Sequence, residues 1–377
     1  MNSPGSGSRH VLVIVPSIRI SGGIKETLRL AEELRLRGIQ IRILSLWKDP
    51  RELPHLGLEV DHLSNFAPTR LWAPVQLPIL FLRFIGYIRR AGSIRPGTQI
   101  ALLMTHYSTF PFAWLAPGCK WYCFNQDVEW MFVKGLRRTL LRRIILATSR
   151  RAEVVTTNNY IDNRYRDEGI QSLGEAAIWA SDFWLSDAPG PGRDIDVAML
   201  LRRGHMKRSD LYLDMLVRLK AAGISSAVVT PDPEIYDRVR KLAGHCLLRP
   251  SDDELKAVFQ RSRVFLLLSE TEGFALPPLE AMGSGCVPLC RDSGGPRCYM
   301  QGALAANLLP LSASGAEILQ RLIDLLSDAE QISSLSREAR QRFKAGFAAT
   351  AATREECLAK LTVSLIPAPP AGDAQVV

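Results

Sequence analysis

VFLLLSETEGFALPPLEAMGSGCVPLCRDSGGP, residues 264–296, decides how the rest of the chain is read. Its first five residues are apolar, which predicts a strand buried on both faces. The polar SETEG that follows leaves the sheet at the strand's carboxyl end, where ligands gather in open α/β sheets. Pro277 and Pro278 suit the first turn of a helix, because the N–H that proline lacks has no partner there. A helix is therefore expected from Leu276, with Glu280 in its first turn and Glu272 on the loop before it.

This junction has chemical content. The amides of Gly273, Phe274, Ala275 and Leu276, together with a helix N-terminus, are expected to suit anionic or hydroxyl-rich groups. Two carboxylates would repel a phosphate at contact distance, so Glu272 and Glu280 are expected to accept hydrogen bonds from sugar hydroxyls. The competing structural reading is a loop–helix junction whose glutamates only favour the helix dipole.

At 377 residues the chain is long enough for two α/β domains, and a hydrophobic fraction of 47% supports well-packed cores. Between MNSPGSGSRH and Pro16 stands only VLVIV, shorter than a secretory apolar region. The most apolar window, 71–88, is interrupted by Pro74, Gln76, Pro78 and Arg83, which argues against a membrane span. Seven cysteines form no CxxC pair and suit free thiols in a reducing cytoplasm. The net charge of +9 is uneven: residues 1–190 hold 24 Lys and Arg against 16 Asp and Glu, and residues 191–377 hold 23 against 22. The basic excess belongs to the first half, where an anionic surface would be met.

The first half opens as βαβ: a strand at 11–15, the turn PSIRISGG, a helix at 24–37 closed by Gly38, and a strand carrying Ile39, Ile41 and Ile43. SGGIKE lacks the G-x-G-x-x-G spacing of dinucleotide enzymes, so an oxidoreductase loses ground. Gly22 and Gly23 instead let backbone approach a ligand without a Cβ in the way. Residues 50–98 are irregular, but Trp72, Leu77, Ile79, Leu80, Phe81, Phe84, Ile85 and Ile88 form an apolar helix pattern with Arg83, Arg89 and Arg90. Such a helix is either buried or turned toward lipid. A strand at 100–104 ends at Thr105 and His106, and one at 121–124 ends at NQDVEW, which places His106, Asn125 and Gln126 at the sheet's carboxyl edge. Arg137, Arg138, Arg142 and Arg143 recur at helical spacing among leucines and isoleucines. They make either a solvated face or a contact for an anionic membrane, and no nucleic-acid module accompanies them.

SDAPGPGRD, residues 186–194, reads as the linker between an N-terminal domain at 10–185 and a C-terminal domain at 195–350. The second domain starts with a strand at 195–200 and then RRGHMKRSD, in which Arg202 and Lys207 stand five apart. Alternation continues through Thr230-Pro231-Asp232, the capping box Ser251 to Glu254, the 264–296 stretch and two helices. A further helix at 351–365 is expected to pack back on the first domain, with a disordered tail at 366–377.

Glu272 and Glu280 with seven residues between them, inside EGFALPPLEAM and followed by GSGCVP and SGGP, resemble the E-x7-E signature of retaining GT-B glycosyltransferases of family 4. The resemblance is close over this segment and looser over residues 10–350. It implies two Rossmann-like domains facing an interdomain cleft, with an NDP-sugar donor held by the second and a glycan or lipid-linked acceptor by the first. Arg202, Lys207 and Gly23 would hold the diphosphate, Glu280 the ribose diol, and Glu272 with the amides after it the sugar hydroxyls. Gln126 stands where similar enzymes carry a histidine near the anomeric carbon, with Asn125 and His106 as further sugar or acceptor contacts. Glutamine cannot titrate near neutral pH. The resemblance implies attack on the face from which the phosphate departs, with the leaving diphosphate taking the acceptor's proton, no metal or other cofactor, and a cytoplasmic enzyme peripheral on the inner membrane face. Three rivals stand beside it: a metal-dependent transferase using Asp194 and Asp196, a nucleotide-sugar epimerase, and a non-catalytic nucleotide- or membrane-binding protein on a decayed GT-B fold.

Overall fold

The computed structural model describes residues 9–18, 21–50, 57–67, 73–94, 99–186 and 192–366. The Ser/Gly-rich leader up to residue 8, Trp72, linker residues 187–191 and the tail from 367 lie outside the described residues. The chain divides into two compact units, Met1–Ile178 with Thr353–Val377, and Trp179–Ala352.

The first unit contains β1 (Arg9–Val15), α1 (Gly22–Leu36), β2 (Gln40–Ser45), β3 (Glu59–His62), α2 (Ala73–Ile94), β4 (Gln99–Met104), α3 (Phe110–Ala113), β5 (Lys120–Asn125), α4 (Gly135–Ser149), β6 (Glu153–Thr156), α5 (Asn159–Arg166) and β7 (Ser172–Glu175). Its seven strands lie in the order β3-β2-β1-β4-β5-β6-β7 and every pairing is parallel. In β1 the side chains alternate between two cores: Val11, Val13 and Val15 in one, Leu12 and Ile14 in the other. Covering both faces is why the strand reads VLVIV instead of alternating with polar residues.

The expected helix in the 72–88 region forms, but it is neither fully buried nor free. Leu80 and Phe84 are buried, and Phe81 and Phe84 meet Phe112 of α3 edge to face at 5.0 and 5.2 Å. Val75, Leu77, Ile79 and Leu82 are exposed, Leu82 to 70%.

The second unit contains β8 (Ile195–Leu200), α6 (Ser209–Ala221), β9 (Ser226–Thr230), α7 (Pro233–Val239), β10 (His245–Leu248), α8 (Asp252–Arg261), β11 (Ser262–Leu267), α9 (Leu276–Gly283), β12 (Val287–Arg291), β13 (Leu308–Leu309), α10 (Gly315–Ser327) and most of α11 (Ala329–Leu365). Its six parallel strands follow the order β10-β9-β8-β11-β12-β13. Ser251 and Glu254 form the expected capping box of α8. The unit starts at Trp179, ahead of the Pro/Gly linker, because the Trp179 ring packs near Phe274 (6.1 Å), Phe343 (6.3 Å) and Tyr299 (6.5 Å).

The end of α11 belongs to the first unit. Cys357, Leu358, Leu361 and Leu365 join its core, and buried Arg354 pairs with Glu33 at 2.8 Å and donates to the carbonyls of Ala176 and Ala177. None of the seven cysteines forms a disulfide. Among the described residues no helix is long and apolar enough to cross a membrane.

In each sheet the order of succession reverses once, between β1 and β4 and between β8 and β11. Loops leaving the carboxyl ends of two such strands diverge to opposite sides and open a crevice, so each unit has one position where a ligand is expected.

Candidate active site

In the second unit the crevice is bounded by the loop after β8, which carries Arg202 and Lys207, and by the loop after β11, which carries Glu272. Glu270 N–H donates to the Met206 carbonyl at 2.8 Å and joins the two loops. Lys207 Nζ then donates to both carboxylate oxygens of Glu272, each at 2.8 Å. Nothing in the sequence signals this partner for Lys207. Lys207 is paired with a carboxylate whose side chain is only 14% exposed. Arg202 is exposed and makes no ion pair among the described residues.

The loop from 272 to 276 is held from behind. Glu272 N–H donates to the Ser293 carbonyl and Gly295 N–H to the Glu272 carbonyl, both at 3.0 Å, so the SGGP turn makes a short parallel bridge to the loop. A Cβ at Gly295 would lie 2.5 Å from Phe274 Cα, which is why glycine stands there. Ala275 has φ 65°, a left-handed conformation that costs a residue with a Cβ free energy. Arg208, at the junction after Lys207, has φ 51°. Two of the three non-glycine residues with positive φ among those described therefore flank this crevice, as strain tends to do at functional sites.

α9 begins at Leu276 with its prolines in the first turn, as expected. Glu280 is its fifth residue, in the second turn and not the first. The strand before the loop, Ser262–Leu267, starts two residues earlier than expected and ends one residue earlier, since Leu268 donates its N–H to buried Tyr212 and gives its carbonyl to buried Arg291 at 3.2 Å. Neither Tyr212 nor Arg291 stands out in the sequence, because nothing local to either residue signals a contact with residue 268.

In the first unit the side chains gathered at Gln126 are uncharged, with Asp127 next in the chain. Ser21 caps α1, accepting the Ile24 N–H at 3.2 Å. Gly22 and Gly23 lie inside the first turn of α1, not in a loop before it. Gln126 Nε2 donates to Thr27 Oγ1 at 2.9 Å, and Thr27 in turn donates to the Gly23 carbonyl at 2.9 Å. A Cβ at Gly23 would lie 3.2 Å from Gln126 Oε1, so this glycine makes room for the glutamine side chain. Asn125 is buried at the end of β5, and its Nδ2 has no hydrogen-bond partner among the described residues.

His106 faces Glu129, not Gln126. Ser108 N–H reaches His106 Nδ1 at 3.3 Å, which makes Nδ1 an acceptor and puts the ring proton on Nε2. Nε2 lies 3.8 Å from Glu129 Oε1, too far for a hydrogen bond. Desolvation lowers the His106 pKa to about 4, so the ring is neutral at pH 7. Burial, with the Asp127 charge adding to it, holds the Glu129 carboxyl well above the usual carboxylate range.

The remaining sequence-derived groups fall elsewhere. Asp194 and Asp196 stand at the amino end of β8 and pair with Arg261 and Arg263, at the opposite end of the sheet from the crevice. They are a charge pair of the linker. Arg203 pairs with Asp232 and Glu234, and Arg249 donates to the Pro231 carbonyl at 3.0 Å, so the Thr230-Pro231-Asp232 turn is pinned by arginines. On α4, Arg137, Arg138 and Arg143 are exposed beside Leu136 and Leu140, but Arg142 donates to both carboxylate oxygens of Glu168 and is withdrawn from that face.

Comparison with known proteins completes the picture. Residues 235–342 match the family model described as Glycosyl transferases group 1. Over 45 residues the chain is 47% identical to "Putative glycosyltransferase 41" of Sulfolobus islandicus filamentous virus, a match spanning 12% of this chain and 14% of that relative's length. Three solved structures share the fold at low identity. Sucrose-phosphate synthase from Thermosynechococcus elongatus superposes with a TM-score of 0.71 at 14% identity, covering 94% of this chain and 100% of that one. HepE of Anabaena in complex with UDP-glucose gives 0.68 at 12% identity, covering 94% and 99%. WaaG, a glycosyltransferase involved in lipopolysaccharide biosynthesis, gives 0.66 at 13% identity, covering 92% and 98%.

Proposed function

We infer that this chain, which has the GT-B fold and matches the glycosyl transferases group 1 family model over residues 235–342, moves a sugar from an NDP-sugar to a glycan or lipid-linked acceptor with retention of configuration. The observation that carries this reading is the Lys207–Glu272 pair at the reversal point of the second sheet, beside the amides that open α9. A diphosphate needs cations and a sugar needs acceptors for its hydroxyls, and this crevice offers both within one hydrogen bond of each other.

In this reading Arg202 and Lys207 meet the diphosphate. Their charge matters most as the bond to the sugar breaks and negative charge accumulates on the leaving group, so they lower the barrier more than they tighten binding. Two cations, of which Glu272 holds Lys207 in place, take the role a metal plays elsewhere, and no metal is required. Glu272 and the amides of residues 273–276 hold sugar hydroxyls, while Glu280 accepts from the ribose diol. Gly22 and Gly23 in the first turn of α1 offer backbone to a ligand of the first crevice. Gln126 and Asn125 offer amides to a sugar or acceptor hydroxyl, and His106 a neutral N–H. The leaving diphosphate takes the acceptor's proton, since no titrating base stands at Gln126.

The exposed apolar face of α2, with Leu136, Leu140 and the free arginines of α4, favours a lipid-linked acceptor met at an anionic membrane surface. Flotation with vesicles of phosphatidylcholine and phosphatidylglycerol should then show binding that falls as salt rises. Absence of salt-sensitive binding would remove this part of the reading.

The donor site is tested by thermal shift with UDP, GDP, dTDP and ADP, with and without magnesium, on wild type and Glu280→Ala. A nucleotide at ~100 times its Kd stabilises by about 2.7 kcal/mol. One nucleotide should stabilise the wild type regardless of metal and the mutant much less. No shift with any of them would leave a non-catalytic protein, and a strictly metal-dependent shift would overturn the two-cation account.

A further inference from the structure

The donor loop carries a conformation that its own sequence disfavours. Ala275 sits at φ 65° and ψ 81° immediately before α9, and left alone a residue with a Cβ would leave this region. Its carbonyl accepts a hydrogen bond at 2.8 Å from the hydroxyl of Tyr299, a residue 24 positions away and only 2% exposed. The Tyr299 ring also meets Phe274 edge to face at 5.4 Å. It follows the SGGP turn, whose Gly295 lies against the Phe274 backbone and whose amide bonds to Glu272. One short segment, 293–299, therefore contacts the loop at 272, 274 and 275. The contact at 275 is the one that opposes the strain.

We propose that Tyr299 is a positioning residue of the donor loop, holding Ala275 in its left-handed turn so that the amides of residues 273–276 keep the arrangement that receives the donor. This rests on the reading of that loop as the donor site. Tyr299 touches no substrate in this account. It acts through Ala275, because a buried carbonyl with one good donor stays with that donor.

The test uses the full chain with Tyr299→Phe, Ala275→Gly and the double variant. Glycine adopts positive φ without the Cβ penalty, so at position 275 it has no need of the tyrosine. Tyr299→Phe should raise the donor KM about tenfold and change kcat much less, as lost alignment of a binding loop does. Amides in the peptide spanning 272–280 should exchange hydrogen faster in that variant. Both effects should be largely reversed in the double variant. Wild-type KM and wild-type exchange in Tyr299→Phe would overturn the proposal. So would losses that Ala275→Gly fails to reverse, since they would mark Tyr299 as packing alone. If the wild type transfers no sugar and binds no nucleoside diphosphate, the functional reading fails separately, and the exchange data still decide whether Tyr299 holds the turn.

Discussion

At the carboxyl edge of the first sheet the groups brought together are the Gln126 amide, the Thr27 and Ser21 hydroxyls and a neutral His106 ring. At the same edge of the second sheet they are Lys207, Glu272 and the exposed Arg202. Strand order and reversal point are alike in the two, so topology fixes where a ligand goes and not which ligand. A neutral edge holds hydroxyls by hydrogen bonds but cannot balance a diphosphate. A charged edge can, provided its cation is kept from collapsing onto a distant partner, and Glu272 keeps Lys207 in place.

The contrast breaks most sharply at the charged edge. Lys207→Ala should lower kcat/KM for the donor about 10²–10³-fold, the usual scale for removing one group that stabilises the departing charge. A loss under about tenfold would show that the second crevice does not carry the chemistry. Next comes Gly295→Ala, which pushes a Cβ to 2.5 Å from Phe274 Cα. Overpacking there should cost about 1–3 kcal/mol and lower the melting temperature by several degrees. Nucleotide stabilisation should fall with it, and an unchanged nucleotide shift would separate the SGGP turn from the donor site.

At the neutral edge the effects are smaller and of another kind. Gln126→Ala and Thr27→Val should each reduce turnover about tenfold or less, the scale of a lost neutral hydrogen bond, while nucleotide affinity stays as in wild type. Weakened nucleotide binding would mean that the first crevice shares the diphosphate. The last test at this edge is the response of His106→Asn to acid. The folded pKa of His106 is depressed to about 4 from an ordinary 6.5, so in wild type the unfolded state takes up this proton first as pH falls. Wild type therefore loses stability between pH 6.5 and 4 on this account, and the variant should lose less, as melting curves across that range would show.

How far each edge was legible follows from what kind of contact makes it. Residues 264–296 announce themselves because strand, loop, prolines and second glutamate are consecutive, and apolar runs and proline positions act locally. The same logic found β1, α1 and the α8 cap. It started α1 two residues late, at Ile24 instead of Gly22, because a pair of glycines reads as loop while Ser21 caps the helix ahead of them. Lys207 was expected beside a diphosphate, but its carboxylate partner, Glu272, is 65 residues away and invisible to spacing. Arg142 looked like its three neighbours until Glu168, from beyond α5, reached it.

The sequence by itself determined the two alternating α/β halves, the position of the loop at 272–276 and the residue types available at it, because burial pattern, helix caps and prolines are read within a few residues. Only the tertiary structure decided the rest. It paired Lys207 with Glu272, set Gln126 on Thr27, turned His106 toward Glu129, and held a strained alanine with a tyrosine 24 residues on. Each of these is one side-chain contact between separate loops or helices, and its existence depends on how parallel strands are ordered in a sheet, which no local pattern encodes.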